Sequence, residues 1–125
     1  MSITVYHGTS EALLPKILKT GLQPARRRKN HDESGDYVYV DTSDLTARAW
    51  GRYANAFQVA VLEIEVEEGS LAPDTKTLSK TSYKTATRIP ASCIKSWDIY
   101  HMDARTGDMV YIRSEENPRG QRAAA

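Results

Sequence analysis

The apolar positions of the chain alternate between two periods, and each change of period marks a new element. Ile3 to Tyr6 is a β-branched and aromatic segment that predicts a strand, and His7-Gly8-Thr9-Ser10 marks a sharp exit from it. Leu13, Leu14, Ile17 and Leu18 recur at three- and four-residue spacing, which predicts a helix with one apolar stripe. Pro15 is tolerated only in a first turn. The regular helix should therefore start near Leu14, after an irregular turn over Ser10 to Leu13, and end at a left-handed cap on Gly21. Pro24 through Asp36 is charged and has almost no apolar side chain, so it reads as a long surface loop.

Tyr37-Val38-Tyr39-Val40 predicts the next strand, and Thr42 or Ser43 caps a helix over Asp44 to Ala54, with Leu45, Ala49 and Tyr53 as its inner face. Val59 to Val66 is a longer strand, sending Ala60, Leu62, Ile64 and Val66 to the core and Glu63 and Glu65 to water. After a turn at Glu67 to Ser70, the stretch from Pro73 to Arg88 lacks periodicity and reads as loop. Ile94 to Tyr100 and Met109 to Arg113 form a hairpin through residues 104–108. The result is one α+β domain over residues 1–113, with residues 114–125 expected to be an unstructured tail.

Composition narrows the function classes. A chain of 125 residues, 40% hydrophobic and 26% charged, suits one compact domain that buries about two thirds of its unfolded surface. A net charge of +1 gives no global case for nucleic acid or membrane binding, although Arg26-Arg27-Arg28-Lys29 is a local basic run. The one cysteine, Cys93, rules out an internal disulfide and a four-cysteine zinc site, and a buried, inert thiol is expected there. His31-Asp32-Glu33 are neighbours in a charged loop and rarely converge on one ion, so no metal is expected. No apolar run approaches the ~20 residues of a membrane span, and the start lacks a signal peptide's features, so the expectation is a cytoplasmic protein.

The candidate chemistry begins at His7, which a rigid strand would hold while Gly8 leaves the backbone open to a ligand. Taken alone, His7 reads more readily as a strand-end histidine with its hydrogen bonds satisfied. Tyr6-His7-Gly8-Thr9-Ser10, then Ile17-Leu18-Lys19-Thr20-Gly21-Leu22, then Val38-Tyr39-Val40-Asp41 and the helix after it fall in a characteristic order. This order resembles the ADP-ribosyltransferase superfamily, in the His-Tyr-acid branch of the poly(ADP-ribose) polymerases, the rifampin ADP-ribosyltransferases and, more distantly, the RNA 2′-phosphotransferases.

The resemblance implies a compact fold of two small, mostly antiparallel sheets and two main helices around a central NAD cleft. It implies that His7 bonds the adenine-side ribose, that the Gly8 backbone holds the nicotinamide carboxamide, and that Tyr39 stacks on the nicotinamide ring, where a flat π face suits a flat cation. Thr9, Ser10, Trp50 and Tyr53 would line the same pocket, and Arg26 would meet NAD phosphates or an anionic acceptor.

No segment matches the glutamate strand of the polymerases. Ser70-Leu71-Ala72-Pro73-Asp74, with Ser82-Tyr83-Lys84-Thr85 beyond it, is closer to the rifampin-modifying enzymes, which makes Asp74 the candidate acid ahead of Glu63 and Glu65. The expected activity is transfer of ADP-ribose from NAD to a protein, nucleic acid or small molecule, as in a toxin, phage effector or resistance factor. The alternatives are an NAD-using RNA 2′-phosphotransferase and a catalytically silent NAD- or ADP-ribose-binding module.

Overall fold

The computed structural model describes residues 1–24, 37–53, 56–75 and 80–119, the side chains of Arg52 and Tyr53 excepted. The expected loop after Pro24, with Arg26, lies outside them. The fold is α+β. In chain order it comprises β1 (Ser2–Ser10), a 3₁₀ turn (Glu11–Leu13), α1 (Leu14–Thr20), β2 (Val38–Asp41), α2 (Asp44–Tyr53) and β3 (Gln58–Glu67). β4 (Ala72–Pro73), β5 (Ser82–Thr85), β6 (Ile94–Met102) and β7 (Met109–Glu116) follow.

The strands form one antiparallel sheet in the order β4-β5-β2-β1-β3-β6-β7, rather than the two sheets expected. The join is narrow. β1 pairs with β3 from Ser2 to Ser10, whereas β1 and β2 share one register pair, Tyr6 with Asp41. Both edges are blunted as natural sheet edges are. β4 is two residues long and contains Pro73; β7 has a bulge at Ile112, between the Ile99–Arg113 and Tyr100–Tyr111 pairs, and carries Arg113, Glu115 and Glu116.

Alternation along the strands divides the core. Val5, Ala60, Leu62, Ile64, Ile94 and Ile99 pack on one face with Leu14 and Ile17 of α1 and with Val38 and Val40 of β2. The other face carries Val59, Val61 and Tyr100 beneath Ala47 of α2, with Tyr6 and Met109 packed against them. Glu63 and Glu65 share that second face, on the same side of β3 as Val59 and Val61.

The start of α1 follows its proline, with the 3₁₀ turn filling the irregular step, and Ser10 Oγ accepts the Ala12 N–H at its head. Gly21 ends α1 at φ 79°, ψ −178°, a positive-φ conformation open to glycine but not the left-handed helical one, with its N–H on Ile17 O at 2.7 Å.

α2 turns a different face inward from the one its apolar residues predict. Leu45 is 64% exposed and Ala49 is exposed, while Ala47 is buried and Gly51 sits on the sheet. The reason is distance: a Cβ on Gly8 would fall 1.6 Å from Ala47 O, and one on Gly51 would fall 2.5 Å from Val59 Cγ1. Backbones this close leave room only for small residues, so bulk is excluded from the seam.

Two segments expected to lack structure are strands. Ser82–Thr85 is held by the neighbouring β2, which pairs Val38 with Thr85 and Asp41 with Ser82, and Ala72–Pro73 is held in turn by β5, through Lys84 and Tyr83. Beyond Ser114, β7 continues to Glu116; Trp97 Nε1 donates to Glu115 at 2.8 Å, and Asn117 Nδ2 donates to Ile94 O at 2.8 Å and Ala91 O at 3.2 Å. Glu11 ties the 3₁₀ turn to this hairpin through His101 and Arg113, each at 3.0 Å. Burial alone would raise the Glu11 carboxyl's pKa, but those two hydrogen bonds outweigh it and the net shift is downward. Among the described residues no helix is long and apolar enough to cross a membrane.

The seam gives a clean test. Gly8→Ala must push α2 off the sheet and should cost about 3 kcal/mol or more in urea unfolding. Gly69→Ala, with nothing within 4 Å of its new methyl, should change stability by less than about 0.5 kcal/mol.

Candidate functional site

Immediately after the Tyr6–Asp41 pair, β1 and β2 part, and two of the candidate residues, His7 and Tyr39, meet across that opening. Tyr39 alternates with the buried Val38 and Val40, so it shares its face with Asp41; His7 alternates with Tyr6, so it shares the opposite face with Val5. In an unbroken sheet the two would not meet. Across the gap, His7 Nδ1 lies 2.7 Å from Tyr39 O.

That contact settles the state of the imidazole. A carbonyl only accepts, so Nδ1 carries the proton and donates it. Burial lowers the His7 pKa, with the Tyr39 carbonyl as the smaller, opposing influence, so the neutral ring is favoured. Neutral and protonated on Nδ1, His7 offers Nε2 as an acceptor, and Nε2 has no partner among the described residues. The Tyr39 ring stands edge-on to Tyr37, centroids 6.1 Å apart at 66°, and Lys84 Nζ lies 4.4 Å from the Tyr37 centroid.

Other candidates take structural or more distant places. The Cα of Gly8 faces the Ala47 carbonyl, so the missing side chain makes room for α2 and not for a ligand on that side. The Ser10 hydroxyl is engaged in capping the 3₁₀ turn, and Thr9 is 6% exposed on the His7 face. Trp50 is 47% exposed on α2; the Tyr53 side chain and Arg26 fall outside the described residues. Glu65 binds Lys95 and Ser2, each at 3.0 Å, and Glu63 faces Tyr6 on the β3 side of β1, so neither acid borders the opening. Cys93 is partly buried, and burial, followed by Glu65, raises its thiol pKa, which keeps it protonated at neutral pH.

Asp74 sits just past β4, its N–H donating to Ser82 O at 3.0 Å. Because Ser82 pairs with Asp41, the residues Asp74, Ser82, Asp41 and Tyr6 form one row across four strands. Asp74 is thus two strand spacings from Asp41, about 10 Å, on the face that carries Tyr39.

Sequence reasoning missed Asp41 as a site residue. Its carboxylate is 1% exposed; Oδ1 accepts the Ser43 N–H at 2.7 Å and Oδ2 accepts the Ser82 hydroxyl at 2.8 Å. An aspartate ending a strand before Thr-Ser-Asp reads as a turn residue, and only pairing with a strand forty residues later reveals the second bond. Arg48 was also not legible: its guanidinium lies 4.8 Å from the Tyr100 centroid, with a buried Nε that has no hydrogen-bond partner among the described residues.

No family model matches this chain, and no curated protein matches it either. The fold is nevertheless shared. Fourteen chains of solved structure are similar, among them EcPltA, at a TM-score of 0.70 with 12% identity, covering 94% of this chain and 86% of that one. At that identity the likeness is one of fold.

The His7 environment predicts a pH response. The unfolded ring takes up a proton near its ordinary pKa of about 6.5, whereas the folded ring resists it. Between those two values the unfolded state binds more protons, so stability should fall as pH drops below about 6.5 and level off once the folded ring is also charged. An NMR titration should place His7 below its ordinary value, and His7→Gln should flatten that part of the stability profile; a His7 titrating at or above 6.5 contradicts the prediction.

Proposed function

We propose that this chain is an NAD-dependent ADP-ribosyltransferase. It breaks the bond between nicotinamide and the ribose C1′, nicotinamide leaves with the bonding electrons, and a nucleophile on a protein, nucleic acid or small molecule bonds to C1′ and loses its proton to solvent. The observation that carries this reading is the opening between β1 and β2, bordered by a neutral, single-tautomer imidazole and by Tyr39. Its support from sequence is the ordered set of His-Gly-Thr, Ile-Leu-x-x-Gly-Leu and Tyr-strand motifs that resemble the ADP-ribosyltransferases.

Each group has a matching task. Nε2 of His7, an acceptor, suits a ribose hydroxyl, which donates. Tyr39 offers an aromatic face to the nicotinamide cation from the other side of the opening. Asp74 is the proposed acid. As nicotinamide departs, the ribose gains oxocarbenium character, and a carboxylate accepting a hydrogen bond from the 2′-hydroxyl stabilises that charge as it grows. Such preorganised contacts contribute about 3–4 kcal/mol, or roughly 10²–10³ in rate per group.

Protein incubated with NAD labelled on the adenine should release nicotinamide and move label into a protein, nucleic acid or small-molecule fraction. Absence of nicotinamide release with all three acceptor classes overturns the proposal. Asp74→Ala should reduce turnover about 10²–10³-fold and leave NAD affinity nearly unchanged. His7→Ala should weaken NAD binding about tenfold by calorimetry, the cost of one lost buried hydrogen bond, and an unaltered affinity removes His7 from the dinucleotide site.

A further inference from the structure

Asp41 joins three elements at the root of the opening. It forms the one register pair between β2 and β1, opposite Tyr6. Its Oδ1 holds the Ser43 N–H at 2.7 Å, one residue before α2 begins, and so fixes where the helix starts its passage over Gly8. Its Oδ2 holds the Ser82 hydroxyl at 2.8 Å, and the carbonyl of that same Ser82 receives the Asp74 N–H at 3.0 Å. A carboxylate 1% exposed is costly to bury unless its acceptor sites are filled, and two short bonds from different elements fill them.

We infer that Asp41, acting through Ser82, is a positioning residue that sets where Asp74 stands relative to the His7–Tyr39 opening. The inference rests on the proposed transferase reading for its catalytic consequence, but not for its geometry. β4 is two residues long and lies at the sheet edge, so ladder bonds alone hold it weakly. The bond from Ser82 to a buried carboxylate fixes the register of β5, and β5 is the strand to which Asp74 is attached. Asp41 touches neither the proposed dinucleotide nor the reacting carbon; it works by keeping a second acid in line.

Ser82→Ala is the decisive variant, because it removes one hydroxyl and leaves the Asp41–Ser43 bond. It should lower nicotinamide release about 10- to 100-fold, as a small misplacement of a catalytic group does, with NAD affinity changed less than about twofold. Because Asp41 and Ser82 act through Asp74, Ser82→Ala should cause no further loss in an Asp74→Ala background. Asp41→Asn can give its oxygen to Ser43 N–H and its NH₂ to the Ser82 oxygen, so it should retain most turnover, whereas Asp41→Ala should not.

Wild-type turnover in Ser82→Ala, or a loss that multiplies with that of Asp74→Ala, overturns the inference. Hydrogen exchange at the Asp74 amide separates it from the transferase reading. If the wild type releases no nicotinamide, only that reading fails; faster Asp74 exchange in Ser82→Ala, with the α1 amides unaltered, still supports the positioning role, and unchanged Asp74 exchange overturns it.

Discussion

The contact on which the site depends is the seam where α2 lies on β1, backbone against backbone. Helices usually rest on sheets through a layer of side chains; here Gly8 and Gly51 remove that layer, and the Ala47 carbonyl occupies the space a methyl on Gly8 would need. The connection from β2 to α2 is only Thr42 and Ser43, so the helix axis must cross β1 directly after the strand pair ends. β1 is thereby covered by α2 on one face, paired with β3 along one edge and packed in the core on its other face. The edge toward β2 beyond Tyr6 is left without a ladder partner in β2.

The polar groups around that edge follow from the same geometry. Where strands part, backbone acceptors lose their ladder partners, and His7 meets one of them by donating from Nδ1 to the Tyr39 carbonyl. That bond fixes the tautomer, and burial keeps the ring neutral, so a pairing that satisfies the fold also leaves an oriented acceptor at Nε2. Asp41 does the corresponding work at the other end of β2, converting a buried charge into a tie among β1, α2 and β5. Structural satisfaction and site preorganisation are the same hydrogen bonds.

The elements legible in sequence were those whose pattern is local. The β1 and β3 alternation and the α1 start at Pro15 each rest on residues a few positions apart, and a period of two or 3.6 exposes them directly. The inner face of α2 was not legible, because the expectation of Leu45 and Ala49 inside follows the rule that apolar residues point inward, and a glycine-lined seam inverts it. Pro73 to Arg88 reads as loop because β4 and β5 are too short for periodicity; the strand character of β5 comes from pairing with β2, and that of β4 from pairing with β5. Likewise, Ser114 to Glu116 are polar, and it is Asp98, Trp97 and Lys95 on β6 that hold them and Asn117 in place.

By itself, the sequence determined the α+β class, the order of the main elements and the placing of His7 and Tyr39 on successive strands, since these depend on short-range pattern and motif order. Tertiary structure alone decided that the strands close into one sheet joined at a single pair, that Gly8 serves the helix rather than an open pocket, and that Asp41 is wired to Ser82 across forty-one positions. The physical reason is that a strand pairing, a helix seam or a buried carboxylate is defined by what lies opposite. Nothing within a few residues of Gly8 or Asp41 specifies that partner.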